Sequence, residues 1–569
     1  MAVHVRESAR QSEDLRSRLV ASRATAASRG AARAAAGGRF GAVRPMGLAG
    51  MPRPRLRRGQ TDAPAAPSLA VIATNRMGFG PRAGDLDAFA ALGASEAARL
   101  EAYVEQQLHP DAIDDADCDR RLGAAGFATL AKSRSQLWAD HVAANPSWDV
   151  RIQPAVETER ATFIRALYSR RQLLEVLVGF WHDHFNVYGW DDLSAPMWVH
   201  YDRDVIRANA LGNFRTMLEA VAESPAMLDF LNNDVNQVAG PNENWARELF
   251  ELHTLGVENY LGVKHQNQVP VDRDGVPVGF VDDDVYETTR CFTGWTLDDK
   301  SGATVFDNDW HDRFQKTVLA RFMPPYQAPF KDGRDVLDAL AAHPGTARHI
   351  ASKLARRLIA DDPPARVVDA AAAAFVAAQD APDQLRQVVR AILLAPEFAA
   401  AWGGKVKRPF ELTVSALRAA GAEMSFAMKD DFTDSFLWLF DNTGHARFAW
   451  RAPNGYSDLA RDWLSTGTLV ESFRLLNWVM DAQDSAKRQV VDVAGQTPGG
   501  ATTANAIADF WIPRVLGRAL APASRAEVVD FMAQGRDPDV PLRLDDGDVS
   551  DRVVAMVALL VMAPDFLWR

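Results

Sequence analysis

Cysteine is nearly missing from this chain: Cys118 and Cys291 are the two present in 569 residues. No CxxC pair exists, so a multi-thiolate zinc site and a disulfide framework are both excluded. A single Cys118–Cys291 bridge is the one pairing left open. Long apolar runs are also missing. Nothing approaches the roughly 18 consecutive apolar residues of a membrane-spanning helix, so none is expected. Positive charge is in deficit overall, at a net -11, which argues against a nucleic-acid partner. The common catalytic signatures are absent as well. There is no GxSxG, no HExxH, no GxxxxGK[ST], and no GxGxxG after a strand. That removes α/β-hydrolase, zincin, P-loop ATPase and Rossmann dehydrogenase readings.

What is present is an ordinary globular composition, 47% hydrophobic and 24% charged. The first sixty residues differ, with thirteen Arg, no Lys and three acidic residues in an Ala-, Ser- and Gly-rich background. They cannot bury enough apolar surface to order themselves, so residues 1–66 read as a flexible basic tail or processed leader. No apolar stretch of a secretory signal follows the basic part, and export is not legible from the residues.

Residues 67–569 read as one large, mainly α-helical domain, with apolar residues recurring at three and four. Helices are predicted over 85–108 and 160–186, and over 201–231 with a break at Ser224-Pro225. Further helices are predicted over 285–295, from 335 to 359, and over 408–420 and 467–482. Residues 258–284, with Val and Pro flanking Asp274-Gly275, predict a short β-hairpin insertion. Asp272, Asp274, Asp282, Asp283 and Asp284 lack EF-hand spacing, so a solvated hairpin is expected there rather than calcium. Residues 307–325 and 441–465 read as irregular, and 494–504 as a mobile loop. VVRAILLAPEF, ending at Phe398, is echoed by VVAMVALLVMAPDF, ending at Phe566, and the two helical units are expected to pack as a pair.

The chemistry-bearing residues fall in clusters. In PNENWARELFELHTLGV, Asn244, Arg247, Glu248 and Glu251 share one helix face, while Trp245, Leu249 and Leu252 share another. From spacing alone, the expected reading of this stripe is a wet face with an Arg247–Glu251 pair, ahead of a site. In FWHDHFNV, His182 and His184 point about 200° apart on a helix, so they reach one metal only if the helix has ended. With His253 added, the two segments offer imidazoles and carboxylates of the kind that bind Zn, Fe or Mn between helices. His311-Asp312, His343 and His349 read as structural. Most of the fifteen tryptophans are assigned to the core rather than to sugar-stacking platforms.

NRMGFGPRAGD, FWHDHFNV, NENWARELFELHTLGV, RCFTGW, HPGTARHIASKLARRLI and RPFELTVSALRA occur in this order. Together they resemble the bacterial family catalogued as domain of unknown function 1800, over roughly residues 70–569. The resemblance implies a large helical body, an exported or periplasmic location, and a co-encoded exported protein as a partner. It also singles out His182, His184, Asn244, Arg247, Glu248, Glu251, His253 and Thr293-Gly294 as characteristic positions. Two departures stand out: the segment between Leu261 and Asp282 is longer than the link expected there, and no export signal is evident. The expectation is a metal-assisted hydrolase acting on a small-molecule or polymer substrate, with a metal oxidoreductase second. His182, His184, Glu248 and His253 would be the ligands, Glu251 or Asp183 the general base, and Arg247 the substrate anchor. The alternative is a non-catalytic binding or assembly protein in which the same residues form a structural ion network.

Overall fold

Alanine, leucine, arginine and glutamate fold here as their propensities dictate, into helices capped by Ser, Asp, Asn and Thr. The computed structural model describes residues 66–569, so the expected tail lies outside the described residues apart from Ala66. Among the described residues, strand is confined to two small antiparallel pairs. No described helix is long and apolar enough to cross a membrane. One apolar cluster runs from Ile72 to Phe566. Trp181, Trp198, Trp295 and Trp511 are fully buried and fill the core.

Two long predicted helices are each divided, for local reasons. The 85–108 run becomes Asp85–Ala90 and Glu96–Leu108. Ser95 interrupts it, because its Oγ accepts the Ala98 N–H and starts a new helix. The 160–186 run becomes α1 (Gln153–Tyr168) and α2 (Gln172–His184). Between them the Ser169 hydroxyl donates to Asp115 at 2.7 Å, and the Arg170 N–H donates to the same carboxylate at 2.7 Å. A side chain 54 residues upstream thus outcompetes helix continuation.

Ser224-Pro225 breaks the next run as expected. That run opens with a wide turn, Tyr201–Ile206, which continues directly from α3 (Ser194–His200), a helix that starts ahead of the predicted range. The 241–257 segment forms only a short helix, α4 (Asn244–Glu248), followed by a π-type turn, Leu249–His253. It stops at Gly256, whose φ of +90° excludes most other residues, and where a Cβ would lie 2.4 Å from His349 Nδ1. α5 (Pro344–Leu358) and α6 (Pro409–Ala419) complete the six helices that frame the polar centre.

The expected hairpin over 258–284 is not a strand pair. It is a turn at Asp272–Gly275 closed by a single bridge, Val271 to Pro277. Pro270 and Pro277 lack the N–H groups a longer ladder would need. The strands lie later. β1 (Trp295–Leu297) pairs with β2 (Thr304–Phe306), and β3 (Lys316–Val318) with β4 (Arg321–Met323). The region expected to be irregular, 307–325, therefore holds the second hairpin. Its two-residue turn is Leu319-Ala320, both at positive φ (48° and 60°), where Asn-Gly is the usual signal. The two echoed segments meet through the chain that follows their Ala-Pro stops, where Val406 bridges Trp568. Cys118 and Cys291 are both buried and unpaired.

Candidate functional site

α2 carries three consecutive polar residues into the core, and its helical geometry sends them to different partners. The helix continues through His184, so His182 and His184 diverge.

His182 meets Asp202, on the wide turn after α3, with 3.0 Å between Nε2 and Oδ1. Arg207 and Arg165 lie 3.6 and 3.9 Å from the other Asp202 oxygen. Burial pushes the Asp202 carboxyl up, but Arg207 and His182 outweigh it and hold the group charged. Burial also lowers His182, against the pull of Asp202. A neutral His182 with Nε2–H donating to Asp202 leaves Nδ1 as a buried lone pair without a partner. Two narrow adjoining cavities flank this ring, with room for about one water-sized molecule each. Arg447 and Phe448 line both.

His184 faces the other way, toward the turn after α4. Its Nε2–H donates to the His253 carbonyl at 3.2 Å, and the His253 Nδ1–H donates to the His184 carbonyl at 3.1 Å. The exchange fixes both tautomers and leaves His184 Nδ1 and His253 Nε2 as unpartnered lone pairs. Burial, then the positive charge of Lys353, drives both imidazoles down, His253 to about 3. His349 packs 6.2 Å from His184, ring to ring, and its two nitrogens face Glu258 and the Leu252 carbonyl.

Asp183 ties the two sides together. Arg408, at the start of α6, holds it at 2.8 Å. Arg408 also contacts Glu411 at 3.1 Å, and Glu411 accepts from Arg357 of α5 and from Arg569 at 2.9 Å. Arg357 reaches Asp458 at 2.9 Å. Burial would raise the Glu411 carboxyl, but its three guanidiniums hold it well below the carboxylate range. The segment carrying Arg447 and Asp458 seats closely on α2. Asn186 donates to the carbonyls of Trp450 and Ala452, and Gly455 (φ +68°) comes so near that a Cβ would sit 1.9 Å from the Asp183 carbonyl.

The sequence-predicted residues are therefore divided. His184 and His253 come together; His182 belongs to the Asp202 side; Asp183 belongs to the ionic network. Arg247 pairs with Glu243 at 3.1 Å, Glu251 at 3.2 Å and Asp282 at 3.5 Å, on the outer face of α4. Glu248 shares that half-buried stripe, and burial, then Glu251, raises its carboxyl. Among the described residues, no three His, Cys, Asp or Glu side chains converge as a metal ion requires. The residues present do not fit the expected Zn, Fe or Mn centre. His343 caps α5 and donates to the Pro277 carbonyl at 2.8 Å, and His311 binds Asp332 at 3.2 Å.

Sequence reasoning passed over Asp202, Lys353, Arg357, Arg408, Glu411, Arg447 and Asp458. One signal was available: His349, Lys353 and Arg357 recur at four-residue steps and share a face of α5. Lys353 has no hydrogen bond or ion pair among the described residues. Burial, opposed by Asp458 and Asp183, brings its ammonium down to about 8.

These features define a mainly helical protein organised around a buried centre of imidazoles and paired charges. The chain belongs to the family described as "Protein of unknown function (DUF1800)", which it matches over residues 72–568. No curated protein and no solved structure matches it.

Proposed function

We propose that the protein is a hydrolase in which His182, oriented by Asp202, is the general base. The observation that carries this reading is the buried, unpartnered Nδ1 of His182, a side chain that lines two cavities each about the size of a water molecule. A carboxylate on one imidazole nitrogen and a free lone pair on the other is the arrangement that activates a nucleophile. Each cavity has room for about one water, so the reading requires the wall of Arg447 and Phe448 to move aside and admit the substrate; the water then gives its proton to Nδ1 as its oxygen bonds to the electrophilic carbon or phosphorus. Asp202 stabilises the imidazolium. The leaving group departs with the bonding electron pair and takes the proton back from Nδ1. Arg447, beside the same cavity, faces the charge that develops on the attacked centre.

Turnover of small nitrophenyl esters, anilides and phosphate esters tests this, for wild type and for His182→Asn with its fold verified by circular dichroism. Loss of a general base costs about 10²- to 10⁴-fold. Because burial lowers His182, wild-type kcat/KM is expected to be flat above pH 6.5 and to fall at a lower pH. No hydrolysis across the panel, or hydrolysis unchanged in His182→Asn, overturns the reading.

A second reading has its own support. Around β3 and β4, Phe322 and Tyr326 are 66% and 73% exposed, with Phe314 beside them, as on a binding surface for another protein. A non-catalytic assembly protein would keep the buried centre as a structural network. Under this reading His182→Asn lowers the melting temperature and no substrate turns over.

A further inference from the structure

The segment 446–455 lies over His182 as a strap of chain without helix or strand. Its inner side is Arg447 and Phe448, both buried, with the Phe448 ring 5.1 Å from that of His182. Its outer side, Trp450, Arg451, Ala452 and Asn454, is exposed. The strap closes on itself through two long hydrogen bonds, Ala449 N–H to the Ala446 carbonyl at 3.3 Å and Gly455 N–H to the Ala452 carbonyl at 3.5 Å. Its carbonyls fasten it to the protein. Asn186 donates to those of Trp450 and Ala452, the Gly189 N–H to that of Phe448 at 2.8 Å, and the Trp190 indole to that of Arg447 at 2.9 Å. These donors all lie in the short stretch 186–190 after α2, so they form one seam. The Tyr456 hydroxyl holds the Ala446 carbonyl at the root of the strap.

Three features favour release of that seam. Glycines at positive φ bound the strap, Gly444 at +84° and Gly455 at +68°, and positions of this kind absorb backbone rotation at a hinge. Phe448 is itself at φ +60°, a left-handed conformation that strains an aromatic residue. Arg447 is buried without an ion pair among the described residues, and lifting the strap returns its guanidinium to water. We propose that 446–455 is a lid, hinged at Gly444 and Gly455, that parts from the 186–190 seam and opens His182 to solvent. Closed, it leaves room for about one water in each cavity beside the ring. Open, it also uncovers Trp198, which the Phe448 ring covers at 4.9 Å. The lid is the movement that the hydrolase reading requires, but it stands whether or not His182 performs catalysis.

Diethyl pyrocarbonate acylates the free nitrogen of a neutral imidazole and is larger than either cavity, so it reads the opening in the full-length protein. His182 Nδ1 and His253 Nε2 are both buried and unpartnered, and His253 lies on the His184 side of α2, away from the lid. Peptide mass spectrometry at pH 7 is expected to find His182 modified faster than His253, by about fivefold or more. Asn186→Ala removes two bonds of the seam and is expected to speed modification of His182 by about tenfold while leaving His253 unchanged. If that variant does not fold, Gly189→Ala is the wedge, because its Cβ would lie 2.9 Å from that of Phe448, and the same selective rise is expected. Modification of His182 no faster than of His253 in the wild type, or a rise shared by both residues in the variant, overturns the lid. Selective modification of His182 in a protein that turns over no substrate keeps the lid and removes the hydrolase reading.

Discussion

Glu411 and Glu251 both sit opposite arginine on a helix, yet they occupy different physical worlds. Glu411, at the start of α6, is sealed between Arg357, Arg408 and Arg569 and has almost no contact with solvent. Glu251, beyond α4, answers Arg247 across one helical turn at 3.2 Å on a half-buried face. The inner pair has paid desolvation and depends on every partner to recover it; the outer pair has given up little water and gains little. The conspicuous stripe of the sequence is the outer one, and the residues that hold the centre together are the inner ones.

The sharpest way to break the comparison is to remove the inner carboxylate. Glu411→Gln keeps the shape and leaves three guanidiniums facing a neutral amide. The loss is expected to be about 3–5 kcal/mol, the cost of stranding a buried charge, measured as a fall in the urea midpoint at constant slope. A change below 1 kcal/mol would mean that water enters the centre and that the two regions are alike.

A smaller effect separates the regions by pH. Burial lowers His182, His184, His253 and His445 below the ordinary imidazole value. Each binds a proton less readily when folded, so protonation of the unfolded chain below about pH 6.5 favours unfolding. Their contribution is full above that pH and is lost as pH falls, by up to about 1.4 kcal/mol per unit for each group. Three carboxyls act in the opposite direction. Burial raises Asp229 to about 7, and Asp234 and Asp284 to about 6, so their strain is relieved as pH falls. The imidazoles outnumber them, and a net loss of about 1 kcal/mol per unit is expected between pH 6.5 and 5.5. Urea titrations at several pH values check it. Stability that rises on acidification over this range would show that the imidazoles are already charged in the folded state.

The helical class was legible because the 3.6-residue period recurs along the chain, and Ser224-Pro225 marked a break that the fold makes. The break at Ser169 was not, because its cause is a carboxylate from a distant helix. The strands at β3 and β4 were hidden by a turn, Leu319-Ala320, that lacks turn residues. Proline, by contrast, misled in 258–284: the alternating valines suggested a ladder that Pro270 and Pro277 cannot extend. At the centre, FWHDHF pointed to the right helix, since a His-Asp-His run inside an apolar sequence has to find buried partners. Those partners, Asp202, Arg408 and the His253 carbonyl, come from three other stretches of chain. Local pattern carries no trace of a contact between residues 225 positions apart, as in Arg408 with Asp183.

The smallest expected effect lies on the outer stripe around Arg247. Glu251→Gln removes one of three carboxylates around Arg247, and Glu243 and Asp282 remain in place at 3.1 and 3.5 Å. The guanidinium keeps a counter-charge and stays hydrated on its open side, so nothing is stranded. The substitution is expected to cost no more than about 0.5 kcal/mol, the range of an i,i+4 pair on a helix surface. It also removes the like-charge pressure that Glu251 exerts on Glu248, which offsets part of even that loss. Added salt should shrink the difference between wild type and variant, because exposed pairs are screened, whereas the Glu411→Gln difference should barely move. Urea midpoints for both variants at low and high sodium chloride measure the contrast. A Glu251→Gln loss of 2 kcal/mol or more, insensitive to salt, would place the outer stripe in the same physical class as the inner network.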